Sequence, residues 1–324
     1  MVKERILITG ISGFIGNELA EKAVEEGYEV AGLIRQSFRY NDAINRMKGK
    51  IKLYEGSLND YAKLVNIVDD YMPDFVAHLG AITPVSYSFS HPWEVINTNL
   101  IGTVNLTEAL KKHCPSLKKF VFASSMETFG QQSELHKKFI PFNEETEQRA
   151  ACPYAVAKIG AEKYVKYLNY AYKFPGISLR QTNCYGRKWN DYFVAEAFIT
   201  QMLKKPSEVN FGNPLPVRNF LYIDDLVDLY LTLFKSDNPD ILGESFTTGP
   251  PNGITIEELA NIIANKLDWK GEINWYTREI RDGEIYYLNS DNKKVTKMTG
   301  WEPKITLDKG LDMTIDYWKQ KLDI

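Results

Sequence analysis

The sequence predicts a doubly wound α/β fold, a parallel sheet with helices on both faces, and two observations carry this prediction. Short apolar runs of strand length alternate with longer stretches of helical periodicity through the first half of the chain. The first run, Ile6 to Ile8, is too short for a helix and passes through a glycine-rich turn into a helical pattern. Strands separated by helices indicate parallel pairing with right-handed crossovers, and ligands of such sheets bind at the carboxyl ends of the strands.

The other elements of the first half follow in order from the same pattern. The first helix begins after Gly16 and ends near Gly27, a residue suited to a helix C-terminus. The next helix has Asn59 or Asp60 as its N-cap, and Pro153 suits the first turn of the last helix. The predicted strands are Glu29–Ile34, Ile51–Tyr54, Phe75–Leu79, Lys119–Ala123 and Ile177–Arg180, and the predicted helices are Asp60–Tyr71, Trp93–His113 and Pro153–Lys173.

Regular alternation is lost after the sixth strand, which indicates a second, smaller unit. Residues 183–218 and 247–324 carry most of the prolines and tryptophans of the second half. Residues 219–246 give one more strand, helix and strand that could return to the sheet. The predicted domains are therefore interleaved, one from residues 1–182 plus 219–246 and a smaller α/β domain from residues 183–218 plus 247–324.

Composition excludes several classes of protein. The 324 residues are 44% hydrophobic and 25% charged with a net charge of −3, typical of a globular chain without a nucleic-acid-binding surface. No apolar run reaches membrane-spanning length, and residues 1–5 lead straight into the first strand, so we expect neither a membrane segment nor a signal peptide. Cys114, Cys152 and Cys184 match neither a disulfide framework nor zinc spacing, which favours the cytoplasm and no metal site.

The turn after the first strand carries Gly10, Gly13 and Gly16 in a G-x-x-G-x-x-G spacing. A helix N-terminus offers unpaired N–H groups and a partial positive charge to a diphosphate, and glycine lets the backbone approach it closely. The spacing therefore predicts that residues 1–182 plus 219–246 form a Rossmann domain that binds a dinucleotide. A tight strand-to-helix turn without a ligand is the alternative.

The end of the second strand indicates which dinucleotide binds. Arg35 ends this strand, and Arg39 follows closely. In doubly wound folds this position faces the adenosine ribose, where an acid suits the 2′-hydroxyl of NAD and an arginine the 2′-phosphate of NADP. The sequence favours NADP, with NAD or two solvated loop arginines as alternatives. Gly80 and Ala81, after the fourth strand, are small enough for a flat ring to lie against their backbone.

Ser125, Tyr154 and Lys158 form the predicted catalytic group. Ser125 ends the fifth strand, and the other two lie one helical turn apart on the next helix. Oxidation of a sugar alcohol requires its proton to leave together with the hydride, so a base of near-neutral pKa is needed. Lowering a tyrosine pKa from about 10 to roughly 7 takes about 4 kcal/mol, which a lysine ammonium and a positive nicotinamide ring can supply. Tyr317 and Lys321 share the spacing, but no serine-bearing strand precedes them.

These motifs together resemble the extended short-chain dehydrogenase/reductases that modify nucleotide sugars, over nearly the full chain. The matching segments are T-G-x-x-G-F-I-G at 9–16, H-L-G-A at 78–81, N-x-x-G-T at 99–103, S-S-M-E-T-F-G at 124–130, P-Y-A-V-A-K at 153–158 and R-N-F-x-Y-I-D-D at 218–225. The resemblance implies that Ser125, Tyr154 and Lys158 are the catalytic triad. It also implies a nucleotide-diphosphate sugar as substrate and a homodimer built on the helices Trp93–His113 and Pro153–Lys173.

The resemblance also assigns binding residues. The implied cofactor contacts are Gly10, Ser12, Gly13, Phe14, Ile15, Gly16, Arg35, Arg39, Ser57, Leu58, Leu79, Gly80 and Ala81, together with Tyr154 and Lys158. The implied sugar-nucleotide contacts are Ser88, Asn183, Arg218 and Arg281. The two arginines are suitable fixed donors for diphosphate or ribose oxygens, with ordinary surface salt bridges as the alternative. Ser57 departs from the family, because many relatives have an aspartate there near adenine.

Glu127, two residues after Ser125, indicates the reaction. Once C4 is a ketone, the C5 proton is acidic, and a carboxylate could remove it and drive loss of water from C6. The chain resembles the 4,6-dehydratases, including GDP-mannose 4,6-dehydratase, which place a glutamate at this position. V-x-x-S-F at 85–89 and G-L-I-R at 32–35 also resemble that group. Met126 departs from it, because dehydratases usually have Asp, Ser or Thr there and methionine is typical of 4-epimerases.

The sequence therefore predicts an NADP-using, GDP-mannose-like nucleotide-sugar 4,6-dehydratase. Tyr154 would be the base for the C4 hydroxyl, Ser125 its hydrogen-bond partner, Lys158 the charge that tunes it and Glu127 the C5 base. A 4-epimerase of the UDP-glucose type is the main alternative. A 4-keto-sugar reductase, a UDP-glucuronate decarboxylase, which shares the glutamate, and a non-catalytic dinucleotide sensor are further alternatives.

Overall fold

The computed structural model describes residues 3–35, 42–188, 191–277, 280 and 283–324. The strands are β1 (Arg5–Thr9), β2 (Glu29–Ile34), β3 (Ile51–Glu55), β4 (Phe75–His78), β5 (Lys119–Ser125), β6 (Gly176–Gln181), β7 (Asn183–Tyr185), β8 (Glu208–Asn210), β9 (Val217–Arg218), β10 (Phe220–Tyr222), β11 (Ser245–Thr247), β12 (Ile254–Thr255), β13 (Glu272–Asn274) and β14 (Tyr287–Leu288).

The α-helices are α1 (Phe14–Glu25), α2 (Asp42–Arg46), α3 (Tyr61–Tyr71), α4 (Val85–Ser90), α5 (Pro92–Ile96), α6 (Gly102–His113), α7 (Ser133–Lys137), α8 (Pro153–Tyr172), α9 (Val194–Leu203), α10 (Ile223–Lys235), α11 (Ile256–Lys266), α12 (Lys293–Thr299) and α13 (Leu307–Leu322). A π-helical turn (Asn97–Ile101) joins α5 to α6, and 3₁₀ turns cover Met126–Phe129 and Pro239–Ile241.

The central sheet has seven parallel strands in the order β11-β6-β5-β4-β1-β2-β3. This arrangement confirms the predicted fold class. The strand order reverses between β1 and β4, so the connections that leave their carboxyl ends diverge. Thr9 pairs with His78 at this end of the two strands. The reversal therefore fixes where a crevice must open.

Burial on both faces explains why β1 is apolar at successive positions. Ile6 and Ile8 pack into one apolar cluster with α1 and α10, whereas Leu7 packs into a second cluster with α3, α6 and α8. Side chains of a strand alternate between faces, so a strand between two helical layers needs an apolar residue at every position. The clusters are the two halves of the core on either side of the sheet.

Two elements differ from the sequence expectation. The helix predicted over Trp93–His113 begins at Pro92 and widens into a π turn in its first half. Within residues 219–246, β11 joins the central sheet beside β6, but β10 pairs with β7 in a separate two-stranded sheet. The short strands β12, β9 and β14 form a further sheet, and β13 pairs with β8. The domain division at 1–182 plus 219–246 and 183–218 plus 247–324 stays a prediction.

The described helices offer no membrane span and, together with the described loops and strands, no metal site. None of them combines the length and apolarity needed to cross a bilayer. Their His, Cys, Asp and Glu side chains, and those of the described loops and strands, form no group of three able to hold a metal ion. The three cysteines are buried free thiols. The cytoplasmic location stays a prediction.

Candidate active site

A cleft of about 1100 Å³ opens at the carboxyl ends of the central strands, where β1 and β4 diverge. Ser125 and Glu127 line it. Of the described residues that were predicted to bind the cofactor, all but Lys158 line it as well, namely Gly10, Ser12, Gly13, Phe14, Ile15, Gly16, Arg35, Ser57, Leu58, Leu79, Gly80, Ala81 and Tyr154. Arg39 lies outside the described residues.

The residues predicted to bind the sugar nucleotide are not all brought together. Asn183 is exposed in the cleft wall. Ser88 is buried in α4, and its hydroxyl donates to a backbone carbonyl of that helix at 2.6 Å. Arg218 is buried in β9 and lies 3.7 Å from Glu284. Neither of these two side chains lines the cleft, and Arg281 lies outside the described residues, so their binding roles stay predictions.

The glycine turn at the front of the cleft fits a diphosphate. Gly10 has a φ of +72°, and a Cβ there would lie 2.9 Å from Cα of Gly80. A Cβ on Gly16 would lie 2.3 Å from the carbonyl oxygen of Gly10. Gly13 is the N-cap of α1 and, since it has no side chain, it cannot cap the first-turn N–H groups itself. These groups are therefore available to an anion in the cradle that glycine keeps open.

A chain of hydrogen bonds through His78 holds the nearby loop that follows β4. The hydroxyl of Thr103 donates to the carbonyl of Asn99 at 2.7 Å, so it accepts from Nε2 of His78 at 2.9 Å. Nδ1 of His78 then accepts from the hydroxyl of Thr9 at 2.7 Å, and that oxygen accepts the N–H of Gly80 at 3.0 Å. Burial, and then the nearby Lys158 charge, lower the pKa of His78 to about 3. A neutral imidazole with one defined tautomer therefore fixes the loop.

The π turn adds a second attachment for the same loop. The side chain of Asn99 accepts the N–H of Ile82 at 2.8 Å and donates to the carbonyl of Ile82 at 2.9 Å. Asn99 is 1% exposed, so this amide is fully committed to the backbone it faces. The loop that contains Gly80 and Ala81 is thus tied at both ends before any ligand binds.

Ser125 and Tyr154 meet at the centre of the cleft. The Ser125 oxygen accepts the N–H of Glu127 at 3.2 Å and caps the 3₁₀ turn, which leaves its hydroxyl hydrogen free to donate. The Ser125 side chain lies close enough to the phenol of Tyr154 to oppose the rise in its pKa that burial causes. Tyr154 is the second residue of α8, a helix capped by the sulfur of Cys152. The end of β5 and the start of α8 therefore bring Ser125 and the phenol of Tyr154 together.

Burial opposes the predicted ionisation of the phenol. It raises the pKa of Tyr154, the Glu127 charge raises it further, and the nearby Ser125 side chain lowers it. Nζ of Lys158 lies 5.8 Å from the Tyr154 ring centroid and donates to a carbonyl of β5 at 2.7 Å. Burial lowers the pKa of Lys158 to about 7. Lys158 alone therefore does not make Tyr154 a base, and further positive charge in the cleft, which an oxidised nicotinamide ring would supply, is required.

Glu127 and Met126 have different surroundings although they are adjacent. The Glu127 side chain is half-buried in the cleft wall, close enough to Tyr154 to affect its pKa. Met126 is 2% exposed, and its sulfur accepts a hydrogen bond from the hydroxyl of Ser290 at 3.1 Å. A carboxylate therefore lines the cleft, whereas the residue before it packs next to β14 and has no proton to give.

A buried ion pair lies behind the strand end that carries Ser125. Glu162 on α8 and Arg180 on β6 are joined at 2.8 Å, with side chains 2% and 6% exposed. The hydroxyls of Ser124 and Ser245 donate to the same carboxylate at 2.7 and 2.9 Å. The network ties β5, β6, β11 and α8 together, so it fixes the position from which Ser125 enters the cleft.

Sequence reasoning missed Arg187, which also lines the cleft. Its guanidinium carbon lies 3.6 Å from the ring centroid of Phe193 and 4.5 Å from that of Phe14. It also pairs with Glu196, nine residues further on, at 3.4 Å. Neither the spacing to Glu196 nor the distant contact with Phe14 matches a helix or strand period, so no local pattern could have identified the residue.

Comparison with known proteins gives consistent matches over the whole chain. Residues 7–314 match the family model described as GDP-mannose 4,6 dehydratase. The chain is 26% identical to a UDP-glucuronate 4-epimerase of Thermodesulfobacterium geofontis, over 98% of this chain and 97% of that protein. It is 28% identical to GDP-mannose 4,6 dehydratase 1 of Arabidopsis thaliana, over 96% and 88% of the two chains. The crystal structure of Thermotoga maritima UDP-glucose 4-epimerase with UDP-glucose superposes with a TM-score of 0.88, at 30% identity and 98% and 99% coverage.

Proposed function

The chain belongs to the family of NAD(P)-dependent nucleotide-sugar epimerases and dehydratases that the GDP-mannose 4,6 dehydratase model describes, and on this premise we propose that it is a nucleotide-sugar 4,6-dehydratase. The observation that supports the proposal is the carboxylate of Glu127 in the cleft wall, next to the phenol of Tyr154. Elimination of water across C5 and C6 needs a base at C5, whereas epimerisation at C4 does not.

In the proposed mechanism Tyr154 takes the proton of the C4 hydroxyl, which Ser125 holds by a hydrogen bond. When bound, the nicotinamide cofactor supplies the hydride chemistry, removal at C4 and return at C6. Glu127 then removes the C5 proton, which the C4 ketone has made acidic. Since Met126 has no proton to give, Glu127 also hands this proton to the departing C6 oxygen, and water leaves. Glu127, protonated again from solvent, finally returns a proton to C5. Tyr154 releases the C4 hydroxyl proton to solvent, so the net change is the loss of one water.

For the cofactor we propose NADP, with NAD as the alternative. Arg35 is exposed at the end of β2 and lines the cleft beside Ser57 and Leu58, which follow β3. This strand end faces the adenosine ribose in doubly wound folds, and a guanidinium there suits a 2′-phosphate. The open glycine cradle supports a dinucleotide in either case.

For the substrate we propose a nucleotide-diphosphate sugar of the GDP-mannose type. The Arabidopsis relative supports this class, and the Thermotoga epimerase with UDP-glucose supports the second candidate, a 4-epimerase. Met126 specifically favours the second candidate, because it cannot act as an acid at C6. The two reactions share the first oxidation step at C4, so Ser125, Tyr154 and Lys158 would serve either of them.

Turnover in deuterated water separates the two candidates. We expect GDP-mannose, with a catalytic amount of NADP⁺, to give a product that has lost one water and carries deuterium at C5, because the C5 proton exchanges through Glu127. Mass spectrometry and proton NMR of the product measure both changes. Parallel reactions with NAD⁺, UDP-glucose and UDP-glucuronate test the cofactor and the sugar. An isomeric product without deuterium at C5 would contradict the dehydratase proposal and indicate an epimerase.

The same assay with Glu127→Gln tests the residue itself. Loss of a general base lowers turnover by about 10²- to 10⁴-fold, and we expect this loss for dehydration. Glu145→Gln, at an exposed position outside the cleft, is the matched control and should turn over as the parent does. An activity that survives Glu127→Gln nearly intact contradicts the role of Glu127.

We also propose a homodimer formed on the face of α8 and the π turn. Ile101, Val156 and Tyr167 expose apolar side chains there, with 44%, 48% and 47% of their surface accessible. Val156 and Tyr167 are about three helical turns apart and therefore share one face of α8, and exposed apolar side chains on one helix face suit a protein–protein contact. Sedimentation should give twice the 37.2 kDa chain mass, and Ile101→Arg should give the monomer. A parent protein that stays monomeric at micromolar concentration contradicts this proposal.

A further inference from the structure

Arg187 contributes a formal positive charge to a cleft wall that has few such charges. Among the described residues, Arg35 and Arg187 are the cationic side chains that line the cleft, while Glu94, Glu127 and Glu196 line it with carboxylates. The chain as a whole is acidic, so no general field compensates the charge of a bound diphosphate. A phosphate-bearing ligand therefore depends on these two cations and on the N-terminus of α1.

The guanidinium of Arg187 is held in a fixed plane. It lies against the rings of Phe193 and Phe14, with its central carbon 3.6 and 4.5 Å from their centroids. Nη1 donates to the carbonyl of Cys184 at 2.6 Å. Arg187 is 9% exposed, so stacking and this hydrogen bond leave it little freedom. The position is therefore defined before a ligand arrives.

Glu196, the carboxylate that pairs with Arg187, contacts only part of the guanidinium. One oxygen of Glu196 accepts the backbone N–H groups of Gly186 and Arg187, each at 2.9 Å, and the other is 3.4 Å from Nη1. Within the described part of the chain, Nε and Nη2 of Arg187 have no acceptor. Neither atom is completely enclosed by protein. Burial lowers the pKa of Arg187, although the Glu196 charge opposes this. Two donors of an incompletely paired cation thus remain for the cleft.

The position of Phe14 identifies the anion. Phe14 is the first residue of α1, and the N–H groups of that turn are the predicted site of the dinucleotide diphosphate. Arg187, in the segment that follows β7, is stacked on this residue and lines the same cleft as the glycine turn. We propose that Nε and Nη2 of Arg187 bind the diphosphate of the dinucleotide cofactor, beside the N-terminus of α1. This rests on the dinucleotide binding of the proposed function.

Binding measurements with Arg187→Met test the proposal without requiring turnover. A hydrogen bond to a charged group is strong enough that its loss should weaken NADP⁺ binding by about 10- to 100-fold in calorimetric titrations. Adenosine 2′-monophosphate, which has no diphosphate, should bind the variant and the parent equally. The dissociation constant of NADP⁺ should also depend less on salt in the variant. NAD⁺ replaces NADP⁺ if the parent binds it more tightly.

Lys188→Met is the matched control. Lys188 is the neighbouring cation, it pairs with Glu18 at 2.6 Å, and it does not line the cleft. It should leave the affinity for NADP⁺ unchanged. Arg187→Lys replaces the methionine variant if that variant does not fold. Lysine keeps the charge but lacks the planar guanidinium, so the affinity for NADP⁺ should fall several-fold while the affinity for the monophosphate stays unchanged.

Two results would overturn the proposal. Unchanged NADP⁺ affinity in both Arg187 variants would reduce the residue to a structural role. Loss of GDP-mannose or UDP-glucose binding with NADP⁺ affinity intact would assign Arg187 to the sugar nucleotide. A failure of the dehydratase proposal in deuterated water leaves this prediction in place, because an epimerase binds the same cofactor.

Discussion

Replacement of Tyr154 by phenylalanine is expected to lower kcat by about 10²- to 10⁴-fold, with dinucleotide binding nearly unchanged. Phenylalanine keeps the ring that packs at the start of α8 and removes only the hydroxyl that takes the C4 proton. Tyr154 is 7% exposed and Ser125 lies close to its phenol, so no solvent group can replace the hydroxyl in the same place. Single-turnover reduction of the nicotinamide, followed by absorbance, isolates the affected step.

Tyr317→Phe is a control that the chain itself provides. Tyr317 and Lys321 have the same four-residue spacing, but they lie on α13, where the Tyr317 hydroxyl donates to the carbonyl of Lys188. This variant should keep the parent kcat. If Tyr154→Phe kept more than a tenth of the parent activity, the phenol would not be the base. A Tyr154 variant without any loss of activity or phenotype would favour the dinucleotide sensor over every enzymatic alternative.

The fold was predictable because its signals are local. The apolar run of β1 and the glycine turn after it indicate burial and backbone conformation within a few residues. The alternation of such runs with helical stretches predicts the parallel sheet, which has seven strands. The helix N-cap was equally local, since Asp60 accepts the N–H of Lys63 at 3.0 Å. The resemblance to nucleotide-sugar epimerases and dehydratases, drawn from short motifs, is confirmed by the match over residues 7–314.

What the sequence could not supply depends on contacts between distant segments. Arg187 stacks on Phe14, which is distant in the sequence, and Met126 accepts its hydrogen bond from Ser290, 164 positions away. The π turn is one more example. It places Asn99 against the backbone of Ile82, and this contact cannot be read from the helical pattern that contains the turn. The effect of burial and charge on the pKa of Tyr154 could not be predicted from the sequence either, because burial is a property of the assembled fold.

Substitution of Glu162 by glutamine is expected to lower the free energy of unfolding by about 3–5 kcal/mol, because it leaves Arg180 as an unpaired buried charge. Burial by itself would raise the pKa of Glu162, but the Arg180 charge and hydrogen bonds from Arg180, Ser124 and Ser245 outweigh it and hold the pKa below its usual range. Urea denaturation at pH 7 measures the change. Glu134→Gln, which breaks an exposed ion pair with Lys137 of nearly the same length, should change stability little.

The pH dependence and a double variant distinguish lost pairing from lost packing. A carboxyl whose pKa is lower in the folded state stabilises above its unfolded pKa of about 4.3, and this contribution is lost as the pH falls through the folded value. The difference between parent and Glu162→Gln should therefore shrink below about pH 4.3. Glu162→Leu with Arg180→Met removes both charges and should be more stable than Glu162→Gln alone. If the double variant is the less stable one, packing and hydrogen bonds, and not charge compensation, hold the strand end that carries Ser125.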